Sequence, residues 1–358
     1  MAIVEQSQAG RPQDLSEIWF TRCPVPTATG IAADLGWFDD EFGSDGITVR
    51  SLQDVAGSPL SGQHFEHSLA ALIREGGNVP ALWTRSRGQQ TRLIGLTWIE
   101  ERQAILVRAD SPYVIPGDLK GERLAIPDRD RGTVDFWRAM ALHGFSGALS
   151  IAGLTLSDAQ LVDVPSPDQT TAGERRSLGQ QWNPELDALS NGQVDAVYVK
   201  GAVAVEAGER VGAKVLVDLD AQPDYRTRVN NGTPRPITVH QTLLDERPDI
   251  VARFLATLLR ASDWAAAHPD ELFGILEAET GAGSAGVKGA YRGDFYLSLH
   301  PDLSSERLTL LTQQKDFLLR HRFIESDVDI QAWADPSPLI EARRLLETHG
   351  DPGDDIRK

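Results

Sequence analysis

The sequence predicts an α/β protein of two lobes flanking a cleft. Three observations carry that reading. Strand and helix patterns alternate in two blocks, two Pro- and Gly-bearing crossings separate the blocks, and the last third of the chain turns helical.

In the first block, residues 1–15 read as a loose polar arm, and residues 17–21 (EIWFT) as a short buried strand. The strand runs into Cys23-Pro24-Val25-Pro26, where two prolines end sheet pairing and preset a first helical turn. Apolar residues at helical spacing continue over 27–38, glycines at 43 and 46 close the unit, and 47–50 alternates as a strand. Residues 64–75 read as a helix stopped by Gly76-Gly77, and 79–84 as a strand. Two apolar runs between 91 and 108 flank Glu100-Glu101.

The second block opens with the turn-rich stretch 111–118. Strands are expected at 123–127, 160–164, 194–199 and 214–218, and helices at 133–143, 184–191 and from 200 to 209. Beyond Pro236 helices are expected at 247–267, 268–279, 304–320 and 338–349. These blocks imply a discontinuous first lobe, 1–112 plus 225–358, and a second lobe, 113–224, closing on a ligand between them.

Composition narrows the function. The chain of 358 residues carries a formal net charge of −17, so its bulk surface repels phosphate backbones and anionic membranes. A nucleic-acid partner and membrane insertion are therefore not expected, and an anionic ligand needs a local basic pocket. The single cysteine leaves no internal disulfide. The first twenty residues lack a basic cluster followed by an apolar run, and the expected location is cytoplasmic. Nothing in the sequence sets an oligomeric state, and a monomer is the simpler reading.

Several residues stand out as site candidates, each with an ordinary structural reading beside it. Cys23 is either a small buried hydrophobe or a thiol at a strand's carboxyl end, where a following helix dipole favours its thiolate. His64 is either a solvated helix-start histidine or a proton shuttle for that thiol. His64 and His67 have helical metal-ligand spacing, yet no third ligand motif accompanies them, so neither a metal nor another cofactor is expected. Arg74 either complements a helix C-terminus or offers a guanidinium fork to an oxyanion, with the Gly77 N–H beside it. Ten residues of helix, about 15 Å, would separate His64 from Arg74, so they share a cleft only if the segment bends. The stretch 129–133, ending at Thr133, could bind an anion before a helix. Trp137 and Trp19 could wall an aromatic pocket, and Tyr198 and Lys200 end a second-lobe strand at the ligand edge. Walker, GxSxG, HExxH and GxGxxG motifs are absent from the sequence.

Cys-Pro-Val-Pro after an aromatic strand, His64-Phe65, and Arg74-Glu75-Gly76-Gly77 ten residues after the histidine together resemble the aryl-sulfinate desulfinases. Weaker similarity runs through residues 91–97, 192–198, 270–283, 313–319 and 331–334. The resemblance implies a two-lobed fold of the type II periplasmic-binding-protein kind, shared with the nitrate, sulfonate and thiamine-precursor binding proteins of ABC transporters. It implies cofactor-independent C–S cleavage of a small aromatic anion, with Cys23 catalytic as nucleophile or proton donor. His64 would tune the thiol, while Arg74 and the Gly77 N–H hold the sulfinate. The chain departs from the family at Thr21-Arg22, where a small polar pair is usual. It departs again at His67, which replaces an aromatic residue, and at the loop 128–133. Arg22 and His67 thereby join the candidate substrate contacts. The rival class is a non-catalytic solute-binding protein on the same fold.

Overall fold

The computed structural model describes residues 15–55, 59–129, 133–165 and 182–349. The N-terminal arm and residues 130–132 of the expected anion loop lie outside them. In chain order the first lobe contributes β1 (Glu17–Phe20), α1 (Ala28–Asp34), α2 (Trp37–Phe42), β2 (Thr48–Ser51), α3 (Gln63–Glu66), β3 (Leu72–Glu75), α4 (Asn78–Ser86) and β4 (Thr91–Thr97). Then come β5 (Gln103–Arg108), β6 (Arg123–Asp128), α5 (Phe136–Ser150), β7 (Gln160–Pro165), α6 (Asn183–Ser190), β8 (Ala196–Lys200), α7 (Ala202–Arg210) and β9 (Ala213–Asp218). The chain returns through β10 (Arg235–His240) and α8 (Gln241–Glu246). It ends with α9 (Pro248–Ala267), α10 (Pro269–Thr280), α11 (Ser284–Ala290), α12 (Ser305–Arg320), α13 (Ile330–Trp333) and α14 (Ser337–His349).

Two five-stranded sheets result, ordered β2-β1-β3-β10-β4 and β7-β6-β8-β5-β9. In the first, β1 runs parallel to β2 and β3, while β10 inserts antiparallel between β3 and β4. The chain therefore leaves the first sheet after Thr97. β5, placed in the first lobe on the sequence reading, pairs with β8 and β9 of the second sheet instead. One core lies under the first sheet, with Ile18, Phe20 and Ile73 against Phe38, Phe254 and Leu258. The larger core runs from the second sheet through Val79, Leu82 and Leu93 to Leu311 and Phe317 of α12.

Four further sequence expectations are corrected. The helix expected over 27–38 is two, because Gly36 takes a left-handed conformation (φ 74°) between α1 and α2. The helix expected over 64–75 is a single turn followed by β3. Gln63 Oε1 accepts from the Ser68 and Leu69 N–H groups at 2.8 Å, and His67 turns left-handed, which ends the turn. The strand expected at 79–84 is α4, whose first N–H groups are met by Asn231: Asn78 N–H donates to its carbonyl and Val79 N–H to its Oδ1. Finally, the stretch beyond Pro236, where only helices are expected, opens with β10. Pro236 keeps its place in a central strand because its carbonyl accepts from Gly76 N–H.

Candidate active site

The carboxyl ends of β1 and β3 carry the two groups the sequence singled out. Cys23 follows β1 by three residues, is partly exposed, and has its Sγ 3.9 Å from the Glu75 carbonyl oxygen. That carbonyl also accepts from Thr21 Oγ1 at 2.8 Å, which fixes the turn before the thiol. The helix expected to support a thiolate begins only at Ala28, after the N-cap Thr27. Two of its first-turn N–H groups are already committed. Gly30 donates to Thr27 Oγ1, and Thr29 donates to the buried Glu75 carboxylate at 3.0 Å. The first turn of α1 therefore holds the Glu75 carboxyl group through Thr29.

Arg74 is 1% exposed at the end of β3. Its Nε donates to the His64 carbonyl at 3.0 Å and one Nη to the Gly77 carbonyl at 3.1 Å. The other Nη is buried without a partner, and no carboxylate of the described residues lies within ion-pair distance. Burial pulls this guanidinium down to about 10; the Cys23 sulfur opposes the shift and Arg235 adds to it. A guanidinium enclosed without a counter-charge costs several kcal/mol, so the arrangement is suited to an anion that completes it. The Gly77 N–H has no partner among the described residues and belongs to the same turn. Because 64–75 is a turn and strand rather than one helix, His64 and Arg74 meet directly.

Gly76 makes the fold-back possible. A Cβ there would fall 2.5 Å from both Nη atoms of Arg74. Gly76→Ala is therefore expected to push the guanidinium aside, costing about 1–3 kcal/mol of stability. It should weaken anion affinity at least about tenfold, the value of one charge-assisted hydrogen bond. Thermal melts beside titration calorimetry check both effects, and wild-type affinity in the alanine variant would contradict this placement.

His64 is half-buried with its Nδ1 enclosed and unpartnered, and its ring sits edge-on to Phe65 at 5.1 Å. Burial, then Arg74, Arg235 and His67, push its pKa well below the usual imidazole range, so it is neutral at physiological pH. Cys23 and His64 are not hydrogen-bonded to each other; Arg74 lies between their two segments.

Other sequence candidates are placed differently. Arg22 turns away from the thiol and pairs with Glu279 at 2.7 Å and Asp34 at 3.3 Å. His67 is a packing residue: its Nε2 meets the Leu72 carbonyl at 3.2 Å and its Nδ1 meets Thr238 Oγ1 at 3.4 Å. Trp19 is 6% exposed in a small cluster with Leu52 and Leu72. Tyr198 is core, donating to Gln103 Oε1 at 2.8 Å and accepting from Asn230 Nδ2. Thr133 is exposed and lines a cavity of about 740 Å³ with Trp83, Arg87, Arg138 and Arg322. That cavity opens at the C-terminal end of α4, the end opposite Gly77. Lys200 reaches the site's edge, where its Nζ lies 3.2 Å from Glu101.

Trp137 joins a ladder the sequence hinted at. Phe65 and Phe136 lie 6.2 Å apart across the lobes, Phe136 and Trp137 5.1 Å, and Trp137 and Trp182 5.0 Å. Arg129 stacks 4.4 Å over Trp137 and pairs with Glu185. Phe65, Phe136, Trp182 and, above all, Arg235 were missed. Phe65 could have been inferred from its neighbour His64, whereas Arg235 lies in a strand the sequence reading did not expect. Among the described residues no cluster of three or more His, Cys, Asp or Glu could hold a metal ion.

Neutral, buried histidines set an acid limit. His67 is held at about 3, by burial first and Arg74 second, and His143 at about 4, mainly by burial. Their folded values lie below the unfolded value of about 6.5. Stability from these groups is therefore present above pH 6.5 and lost as pH falls toward the folded values, at about 1.4 kcal/mol per pH unit for each group. Chemical unfolding between pH 7 and 4 should show this slope. His67→Asn, which tolerates the left-handed backbone, should flatten it by one proton; an unchanged slope contradicts the assignment.

Residues 180–272 match the family described as NMT1/THI5 like. Over 350 residues the chain is 29% identical to the 2'-hydroxybiphenyl-2-sulfinate desulfinase of Rhodococcus erythropolis, covering 89% of this chain and 92% of that protein. A crystal structure of a cysteine-to-serine mutant of the desulfurization enzyme DSZB, in complex with biphenyl-2-sulfinic acid, superposes with a TM-score of 0.73. It is 26% identical and covers 92% of this chain and 99% of that one. The periplasmic aliphatic sulphonate binding protein SsuA from Escherichia coli superposes with a TM-score of 0.64 at 15% identity, covering 89% and 92% of the two chains. The chain is thus similar to a sulfinate desulfinase over nine-tenths of its length. Its fold is that of the periplasmic binding proteins, two α/β lobes with a helical C-terminal region.

Proposed function

We propose that the chain cleaves the C–S bond of an aryl sulfinate, consuming one water and releasing the arene and sulfite. The balance is Ar–SO2⁻ + H2O → Ar–H + HSO3⁻, which needs no redox partner. The observation that carries the reading is the buried Arg74 with its unpartnered Nη, folded over Gly76 beside Cys23. In this reading Arg74 and the Gly77 N–H hold the sulfinate oxygens, where charge builds as sulfite departs. Two routes use these groups. In one, the Cys23 sulfur attacks the sulfinate sulfur as the C–S bond breaks and the thiol proton passes through neutral His64 to the ring carbon, water then splitting the S–S bond to thiol and sulfite. In the other, the Cys23 thiol protonates the ring carbon as the C–S bond breaks, water adding to the released SO2 and returning a proton to the thiolate through His64. Phe65, Phe136 and Trp137 stack the ring and exclude water. Similarity to the desulfinase over most of both chains supports the reading. We take the protein to act in the cytoplasm.

Incubation with aryl and alkyl sulfinates, without added cofactor, tests it by sulfite release. Turnover of aryl sulfinates is expected, and its absence across the panel refutes the proposal. A solute-binding protein is the second reading, since the fold is shared with a sulphonate-binding protein. A binder needs Arg74 and has no use for Cys23.

A further inference from the structure

Arg235 is a second buried guanidinium without a counter-charge. It is 4% exposed, its Nε and one Nη are enclosed without partners, and it forms no ion pair among the described residues. Its position is set by the β3–β10 ladder. Ile237 lies opposite Glu75, Gly76 N–H donates to the Pro236 carbonyl, and Asn78 Nδ2 donates to the Pro234 carbonyl at 2.8 Å. Arg235 therefore sits beside Gly77, at the same sheet edge as Arg74, and both arginines act electrostatically on His64.

We propose that the substrate is an aryl sulfinate bearing a second fixed negative charge, a carboxylate on the ring, which Arg235 receives. This rests on the function proposed above and names its substrate class.

Local charge carries the argument. A sulfinate brings one negative charge, which Arg74 and the Gly77 N–H are placed to meet. His64 is neutral. Glu75, the carboxylate nearest in sequence, is bonded by neutral donors, Thr29 and the Thr97 hydroxyl, and forms no ion pair with Arg74 or Arg235. Beyond Arg74 lie Arg235 and Lys200, brought together by Gly232: a Cβ on that glycine would be 2.7 Å from Lys200 Nζ and 3.9 Å from an Arg235 Nη. Among the described residues the carboxylate within ion-pair distance of this pair is Glu101, whose Oε2 is 3.2 Å from Lys200 and whose Oε1 accepts from the Tyr291 hydroxyl at 2.9 Å. Lys200 and Glu101 pair, and Arg235 is left without a carboxylate at contact distance. In a protein of net charge −17, a buried arginine without an acidic partner is conspicuous. A rigid ring with two anionic substituents would satisfy Arg74 and Arg235 together.

The test compares benzenesulfinate with its ortho-, meta- and para-carboxy derivatives. At least one carboxylated isomer should exceed benzenesulfinate in kcat/KM by about tenfold or more, the value of one charge-assisted contact. Arg235→Met should collapse that ratio toward one, and Arg235→Lys should retain most of it. Removing an unpaired buried charge does not endanger folding, and the Met variant should melt at or above the wild-type temperature. If no isomer is preferred, or the preference survives Arg235→Met, the proposal fails. If Arg235→Met slows both substrates equally, Arg235 shares the sulfinate and the proposal again fails. A parallel titration of the Cys23→Ser protein with benzenesulfonate and sulfobenzoate separates the two claims. An Arg235-dependent preference for sulfobenzoate with no sulfite release from any sulfinate would overturn the desulfinase function and keep the ligand class. Sulfite release without that preference would do the reverse.

Discussion

Cys23→Ser is expected to lower sulfite release by at least about a thousandfold while changing anion affinity less than about threefold. The binding groups are elsewhere: Arg74 is held by the His64 and Gly77 carbonyls, and neither bond involves the thiol. The swap is nearly isosteric at a partly exposed position whose thiol, among the described residues, makes one polar contact, a long 3.9 Å approach to the Glu75 carbonyl, so folding should barely respond. A hydroxyl is a far weaker nucleophile and acid near neutral pH than a thiol, and loss of rate alone is the signature of a group that acts on the reacting bond. Turnover measured beside calorimetric affinity for a sulfonate decides it. Equal loss of both would make Cys23 a binding or packing residue.

Arg74→Lys carries the second large effect, an expected loss of anion affinity of about a hundredfold. The ammonium keeps the charge, yet it cannot donate to two carbonyls and still offer a free N–H toward the ligand in one plane. The site would lose the fork and its orientation together. Arg74→Met should bind worse still, while its ligand-free form melts at or above the wild-type temperature, because a buried charge without a counter-charge has been removed. Calorimetry with benzenesulfonate and a thermal melt on each variant check both outcomes. Unchanged affinity in Arg74→Lys would remove the anion site from this turn.

The separation between these two expectations reflects what could be read from the chain. The strands of the second sheet and the long C-terminal helices carry strong local periodicity, and their structure agrees with it. The central motif did not advertise its geometry. Residues 64–75 have helical spacing, and a helix would have held His64 and Arg74 about 15 Å apart. What prevents it is long-range: β3 is claimed by β1 on one side and β10 on the other, and Gln63 ends the preceding turn with its own side chain. The same pairing hid Arg235, since a strand that begins Arg-Pro and sits before four helices gives little local signal. Arg22 and Tyr198 show the converse. Both residues suit ligand binding by type, and both are committed to internal partners, Glu279 and Gln103, that lie 257 and 95 residues away.

The most direct measurement is turnover of biphenyl-2-sulfinate in D2O by the wild-type protein, with no added cofactor, followed by quantifying sulfite and analysing the arene by mass spectrometry. Hydrolytic C–S cleavage predicts equimolar sulfite and biphenyl, with one deuterium at the ring carbon that carried sulfur. Tight binding with the sulfinate recovered intact and no sulfite formed would contradict the account and leave a binding protein on the same fold.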